Sequence, residues 1–266
     1  MKKQLFILFA LLAIGFNTFA GTPEKVIEQY ITLSGLSAAI SQIDELRDAK
    51  IAEKKDSFNS PQEFQQFSTT MTNTLNGEKM LENIKKYLGQ QSDKKTLKNY
   101  IKFHETPLIQ KVMEEELKAN DPAQQQDMIA YFQAFESDPP SQERIQQLIK
   151  LDETARLSEN MTSILKNMMT SIVTGVNAQL PAEDRLSEAE ISSNLKAMFP
   201  ANFEQKIKEQ VIMMSLYSYR NITDQEMNQY IDLWASPLAQ QDLALTFASL
   251  NYAFTNINMT FEEQGQ

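Results

Sequence analysis

Tyr230-Ile231-Asp232-Leu233-Trp234-Ala235-Ser236-Pro237-Leu238 is the stretch whose reading decides the fold. A near copy, Tyr100-Ile101-Lys102-Phe103-His104-Glu105-Thr106-Pro107-Leu108, stands 130 residues earlier. Both follow one pattern: Tyr, Ile, any residue, an apolar residue, an aromatic ring, any residue, Ser or Thr, Pro, Leu. Proline is accepted in the first turn of a helix and disfavours helix in the residue before it. The preceding Ser236 or Thr106 is placed to cap the new helix through its hydroxyl. Each run therefore reads as a sharp helix-to-helix corner with a large ring just before the bend. Met227, Tyr230, Ile231, Trp234 and Leu238 follow helical steps of three and four, one apolar stripe approaching the corner. Burying four of them at ~1.5–3 kcal/mol each rivals the ~5–15 kcal/mol net stability of a whole domain. Packing alone accounts for the pattern.

Outward from the corners the chain reads as helix throughout. Thr22-Pro23-Glu24 has the form of an N-cap, a first-turn proline and an acid on the positive helix end. Val26, Ile27, Tyr30 and Ile31 share a face that Ser34-Gly35 ends. A second helix from about Ser37 to Asp56 turns Ile40, Ile43 and Leu46 inward. Ser60-Pro61-Gln62-Glu63 is a capping box, and Asn76-Gly77 breaks the helix it opens. Met80, Leu81, Ile84, Tyr87 and Leu88 mark the next helix, ending at Gly89, and Leu97, Tyr100, Ile101 and His104 the one before the first corner. Leu108, Val112 and Met113 follow that corner, then Asp121-Pro122 opens a helix with Ile129, Phe132 and Phe135.

Ser137-Asp138-Pro139-Pro140-Ser141 cannot sit inside a helix and reads as a joint. Beyond it the plan restarts, with Ile145 to Leu151 matching Ile27 to Leu33 at an offset of 118. Met161, Ile164, Leu165, Met168, Ile172 and Val173 share one face of a long helix. Capping boxes stand at Ser187 to Glu190 and at Thr223 to Glu226. By the second corner the offset is 130, so the later half carries an insertion of about twelve residues. That period exceeds any solenoid unit. Residues 21–138 and 139–266 are thus expected to form two homologous multi-helix halves of an all-α fold, packed as an intramolecular pseudo-dimer.

Residues 1–20 read as a cleavable export signal: Lys2 and Lys3, an apolar run from Leu5 to Phe16, and Thr18-Phe19-Ala20 before the cleavage point. The run is shorter than the roughly twenty residues that span a bilayer. A mature chain from near Gly21 with no transmembrane segment is expected, in the periplasm of a Gram-negative bacterium. The absence of cysteine removes disulfides and thiol chemistry, which roughly 250 residues can forgo because they bury enough apolar surface without cross-links. Losing Lys2 and Lys3 takes the formal charge from -10 to -12, and the acids are interspersed with lysines. That balance argues against binding nucleic acid or anionic lipid through a broad basic surface.

A capping box at Thr223, an apolar helix, Trp234 and then Ser236-Pro237-Leu238 together resemble the bacterial exported family called domain of unknown function 2059. The likeness covers about sixty residues of the second half, and Thr106-Pro107-Leu108 echoes it in the first. Ala239 stands where that family usually has Gly, and Gln241 where it often has a basic residue. The resemblance implies an all-helical periplasmic domain with no established activity, and it carries over no catalytic residue. Tyr100, His104, Thr106, Pro107, Tyr230, Trp234, Ser236 and Pro237 take structural roles in this reading.

His104 is the only histidine, but its counterpart in the second corner is Trp234, so that position asks for a flat ring rather than a proton carrier. No Gly-x-Ser-x-Gly elbow, phosphate-cradling loop, dinucleotide fingerprint or multi-histidine zinc pattern is present. No cofactor and no metal site are expected. Glu114-Glu115-Glu116, Asp152-Glu153 and Glu183-Asp184 point about 100° apart along a helix and read as solvated faces or caps. An envelope hydrolase drawing paired carboxylates from distant segments stays open. So does an assembly or stability factor acting through protein contacts. The leading expectation is a non-enzymatic module that binds an apolar ligand or a partner segment in the cell envelope. Its candidate surface is Met168, Met214, Phe247, Leu250 and Phe254, bordered by an apolar seam of Leu243, Phe247, Leu250, Phe254, Ile257 and Phe261. Trp234→Ala is expected to cost ~3–5 kcal/mol if that ring is fully buried, and more than His104→Ala.

Overall fold

Both proline corners fold as bends between helices, and the rest of the architecture follows from where they send the chain. The computed structural model describes residues 22–256. Residues 1–20, expected above to be an export signal, and the seam positions Ile257 and Phe261 lie outside them. Thirteen α-helices and no strand occur among the described residues, so the fold is all-α. In chain order they are α1 Glu24–Leu33, α2 Leu36–Lys54, α3 Pro61–Thr74, α4 Gly77–Gln91, α5 Lys94–His104 and α6 Pro107–Ala119. Then come α7 Gln125–Gln133, α8 Gln142–Ala155, α9 Leu157–Gln179, α10 Glu188–Met198, α11 Phe203–Ser218, α12 Asp224–Trp234 and α13 Pro237–Thr255. No described helix is long and apolar enough to cross a membrane.

Local chemistry places most of the boundaries. Full capping boxes start α10 at Ser187 and α12 at Thr223. Asn76, Asp93 and Ser141 accept from the backbone of the third residue on, satisfying an amide that the helix leaves open. Between α1 and α2 the chain turns at Gly35, whose φ of 77° lies in the left-handed region. Ser236 caps α13 through its hydroxyl, but Thr106 makes no such bond at α6.

Several expectations are corrected. Thr22 does not cap α1: its hydroxyl donates to the carbonyl of Ser92 at 2.8 Å, tying the start of the chain to the end of α4. Glu63 reaches back to the amide of Asn59 rather than that of Ser60. Helix α4 runs past Gly89 to Gln91, because a helical glycine away from a left-handed turn is merely a weak former. Leu46 is 65% exposed, and Leu238, Met161 and Ile129 are exposed as well. Single apolar side chains at the surface are ordinary, and helical spacing alone cannot tell which flank of a stripe is covered.

Two apolar cores result. The first joins Tyr30, Ile40, Ile84 and Leu97 from α1, α2, α4 and α5 with Ala253 and Phe254 from α13. The second joins Leu148, Leu151, Leu216 and Ile231 from α8, α11 and α12 with Ile109 and Val112 from α6. Helix α1 packs on α4 and α5, as α8 packs on α11 and α12, and α2 lies on α4 as α9 lies on α11. Past each corner the chain crosses over. Helix α6 packs on α11 and α12, and α13 on α4, α5 and α9. Apolar burial holds the exchange, since Ile109, Val112 and Phe254 contribute ~1.5–3 kcal/mol each. The exposed Lys111–Glu226 pair that bridges α6 to α12 at 2.6 Å is screened by solvent and adds little.

At the start of α4 the backbone of Gly77 lies against Asp44, which accepts from its amide at 3.1 Å. A Cβ there would sit 2.1 Å from Asp44 Oδ2. Asp44 also pairs with Arg47, which bonds the carbonyl of Leu75, so the carboxylate is held in place. Gly77→Ala is expected to destabilise the protein by ~1–3 kcal/mol in urea unfolding. Gly89→Ala, whose Cβ would meet Ile27 at an ordinary 3.6 Å, should be neutral or slightly stabilising.

Candidate functional site

The corners meet where the exchanged helices cross. Phe103 and Trp234 stack edge to face with centroids 5.0 Å apart, and His104 and Trp234 lie at 6.2 Å. Each corner is closed by a glutamine six residues on: Gln110 donates to the carbonyl of His104 at 2.6 Å, and Gln240 to that of Trp234 at 2.7 Å. These bonds satisfy carbonyls that the helix ends leave open, and they fix the two rings. Tyr100 stacks at 6.1 Å on Tyr30 of α1. Thr106, Pro107, Ser236 and Pro237 form the bends themselves.

Beside the corners lies a cavity of about 180 Å³. On one side of it Asp242 of α13 accepts the Tyr30 hydroxyl proton at 2.6 Å, and Tyr30 also bonds Thr246 at 2.8 Å. The other Asp242 oxygen lies 2.7 Å from His104 Nε2. That approach is out of line with the ring N–H direction, and neither nitrogen of His104 has an aligned hydrogen-bond partner. His104 is 3% exposed and Asp242 1%. On the other side Glu116 of α6 accepts the Tyr219 hydroxyl proton at 2.6 Å. Tyr230, Trp234 and Phe247 supply aromatic wall, and Leu151, Ala155 and Leu157 aliphatic wall.

Burial sets the proton chemistry. The hydroxyls of Tyr30, Tyr219 and Tyr230 are pushed well above the usual phenol range, first by desolvation and then by the charge of Asp242 or Glu116. They stay protonated. Desolvation also lifts the carboxyl of Glu116, and the Tyr219 bond opposes it. The cavity thus assembles two carboxylates, an imidazole and phenolic donors, with no thiol and no lysine or arginine in its lining. No cluster of three or more His, Cys, Asp or Glu able to hold a metal occurs among the described residues.

His104, Tyr230 and Trp234 line this cavity, and so does Phe247 of the expected apolar surface. The rest of that surface is not a groove. Phe254 is 1% exposed, Leu250 and Met168 pack against the first core, and Met214 is half-buried on α11. The reason is rotation. The most buried face of α13 runs through Ala239, Asp242, Ser249 and Ala253, offset from the Leu243–Phe247–Leu250 seam. Its counterpart on α6 is Ile109, Val112 and Ala119, the same steps 130 residues earlier. Asp242 and Glu116 sit one turn apart in that shared register. Tyr30, Glu116, Tyr219, Asp242 and Thr246 were not legible as a site. The available signal was an acid and a threonine at helical spacing on a face otherwise of small residues.

An open apolar groove of about 520 Å³ does lie elsewhere, between α3 and α9, lined by Phe58, Phe67, Met71, Ile172, Val176 and Leu180. A cleft of about 630 Å³ between α9 and α11 is edged by the solvated pairs Lys166–Glu204 and Lys208–Glu153. Neither holds a buried polar group without a partner. Comparison of the chain with protein-family models, curated proteins and solved structures finds no match.

The relative depth of the rings reverses the expected order of damage. Trp234 is only half-buried, whereas His104 is buried and faces Asp242. His104→Ala is expected to cost ~3 kcal/mol or more in chemical denaturation, at least as much as Trp234→Ala, because it empties a fully buried ring position. Glu116 gives a second test. Its folded pKa is raised, so its contribution is fully present below the unfolded carboxylate pKa and is lost as pH rises through the folded value. Wild type should lose stability relative to Glu116→Gln as pH goes from about 4 to about 8, read as the difference in Tm.

Proposed function

We propose that this chain is a non-enzymatic binding protein of the bacterial periplasm that holds a small ligand in the cavity between its corners. The observation that carries this reading is His104, buried against the cavity with both ring nitrogens lacking an aligned partner. Leaving a buried polar group unsatisfied costs about 1–3 kcal/mol. A ligand that supplies the missing hydrogen bond removes that penalty. The volume, about 180 Å³, matches roughly six water molecules at ~30 Å³ each and lies below the ~300–1,000 Å³ of drug-sized sites. Lipids and polymers are therefore poor fits. The export-like start of the chain and the likeness of its corner to the exported family support the compartment. We further propose that the two helix sets are tandem duplicates forming an intramolecular pseudo-dimer; the matched packing and glutamine-closed corners support this.

A second reading, a hydrolase of small substrates, draws on Glu116 and Asp242 lining one cavity from segments far apart in sequence. Each carboxylate already accepts a tyrosine proton, which favours holding over turnover.

Native mass spectrometry of the protein isolated from its own cell envelope tests the leading reading. A retained small molecule is expected in wild type and is expected to be lost in Ala155→Leu, which fills the cavity from a buried wall position. Identical spectra for a folded Ala155→Leu and wild type would count against it.

A further inference from the structure

The polar inventory of the cavity is one-sided. Asp242 and Glu116 bring two carboxylates, no lysine or arginine opposes them, and the rest of the polar lining is the His104 imidazole and the hydroxyls of Ser34, Tyr219, Tyr230 and Thr246. Tyr219, in the lining, donates its hydroxyl proton to Glu116, which leaves its oxygen lone pairs to offer. Trp234, Tyr230 and Phe247 add rings to the wall, and a cation is drawn to an aromatic face, most strongly to that of tryptophan. An anion would meet two carboxylates and no lysine or arginine. A neutral apolar molecule would leave His104 without a partner.

We propose that the ligand is a small organic cation, a primary or quaternary amine, held by Glu116 and Asp242 and flanked by Trp234. This deepens the binding reading above and rests on it. An ammonium supplies the donors that the carboxylates and the imidazole lack. A quaternary amine uses the charge and the rings alone. The volume limits the cation to a handful of non-hydrogen atoms, on the order of the six waters it would replace.

Trp234 is the only tryptophan, so its fluorescence reports on the cavity directly. The dialysed protein would be titrated with n-butylammonium and tetramethylammonium chlorides, with tert-butyl alcohol as a neutral probe and with pivalate as an anion of similar size. Calorimetry would run alongside. Saturable binding of an ammonium is expected, at least tenfold tighter than the alcohol, with pivalate inert. Glu116→Gln should weaken the ammonium at least tenfold and leave the alcohol unchanged; Asp242→Asn serves the same comparison if Glu116→Gln does not fold. An alcohol or pivalate bound as tightly as the ammonium would overturn the cation assignment while leaving the cavity as a binding site. Ammonium binding indifferent to both variants would overturn it too. If no probe saturates and Ala155→Leu gives the same trace as wild type, the binding reading itself falls with it.

Discussion

The structure depends on one constraint: the helix that follows each proline corner is buried in part against helices of the opposite set. Ser236-Pro237 and Thr106-Pro107 stop one helix and start the next within two residues, so α6 and α13 turn away from the helices just before them. Helix α6 finds its apolar cover on α11 and α12, and α13 lies between α4 and α5 of the first set and α9 of its own. Phe254 completes the first core, and Ile109 and Val112 complete the second. The crossing ties residues more than two hundred positions apart, as in the Tyr30–Asp242 bond. Neither core is complete without a helix from the other set, so the two are expected to unfold together.

The same crossing creates the cavity. Where two helices pass through each other's partners, their buried faces meet side chains from five or more elements, and a close fit everywhere is hard to reach. The chain fills the gap with polar groups. Asp242 and Thr246 replace the apolar residues that the register of α13 would otherwise carry, and Glu116 does the same on α6. Buried carboxylates among aromatic rings destabilise a fold unless every lone pair is met. Tyr30 and Tyr219 meet some of them. His104 lies 2.7 Å from Asp242 without an aligned hydrogen bond, and the binding reading proposed above rests on that imbalance.

The corner motif was legible because it is local. Proline, the capping hydroxyl and the ring before the bend act within a few residues, and the capping boxes at Ser187 and Thr223 do likewise. Faces were less legible. The apolar seam from Leu243 to Phe254 is real as a pattern, yet the most buried stripe is the neighbouring one through Asp242. A helix such as α13, apolar around much of its circumference, offers several possible stripes, and only its neighbours choose among them. His104 shows the same limit. Aligned with Trp234 it reads as a packing ring, while its contact with Asp242 depends on a residue 138 positions further on.

The sequence by itself determined an all-helical chain, the starts of the helices that open at Pro61, Pro107, Glu188, Asp224 and Pro237, and two corners of one pattern with a ring at each. These are set by backbone sterics and by hydrogen bonds to neighbours in the chain. Only the tertiary structure decided that the helices beyond the corners change partners, that Asp242 and Glu116 share one cavity, and that His104 is buried there without an aligned hydrogen bond. Those outcomes depend on which apolar faces cover which, a long-range choice that no local spacing encodes.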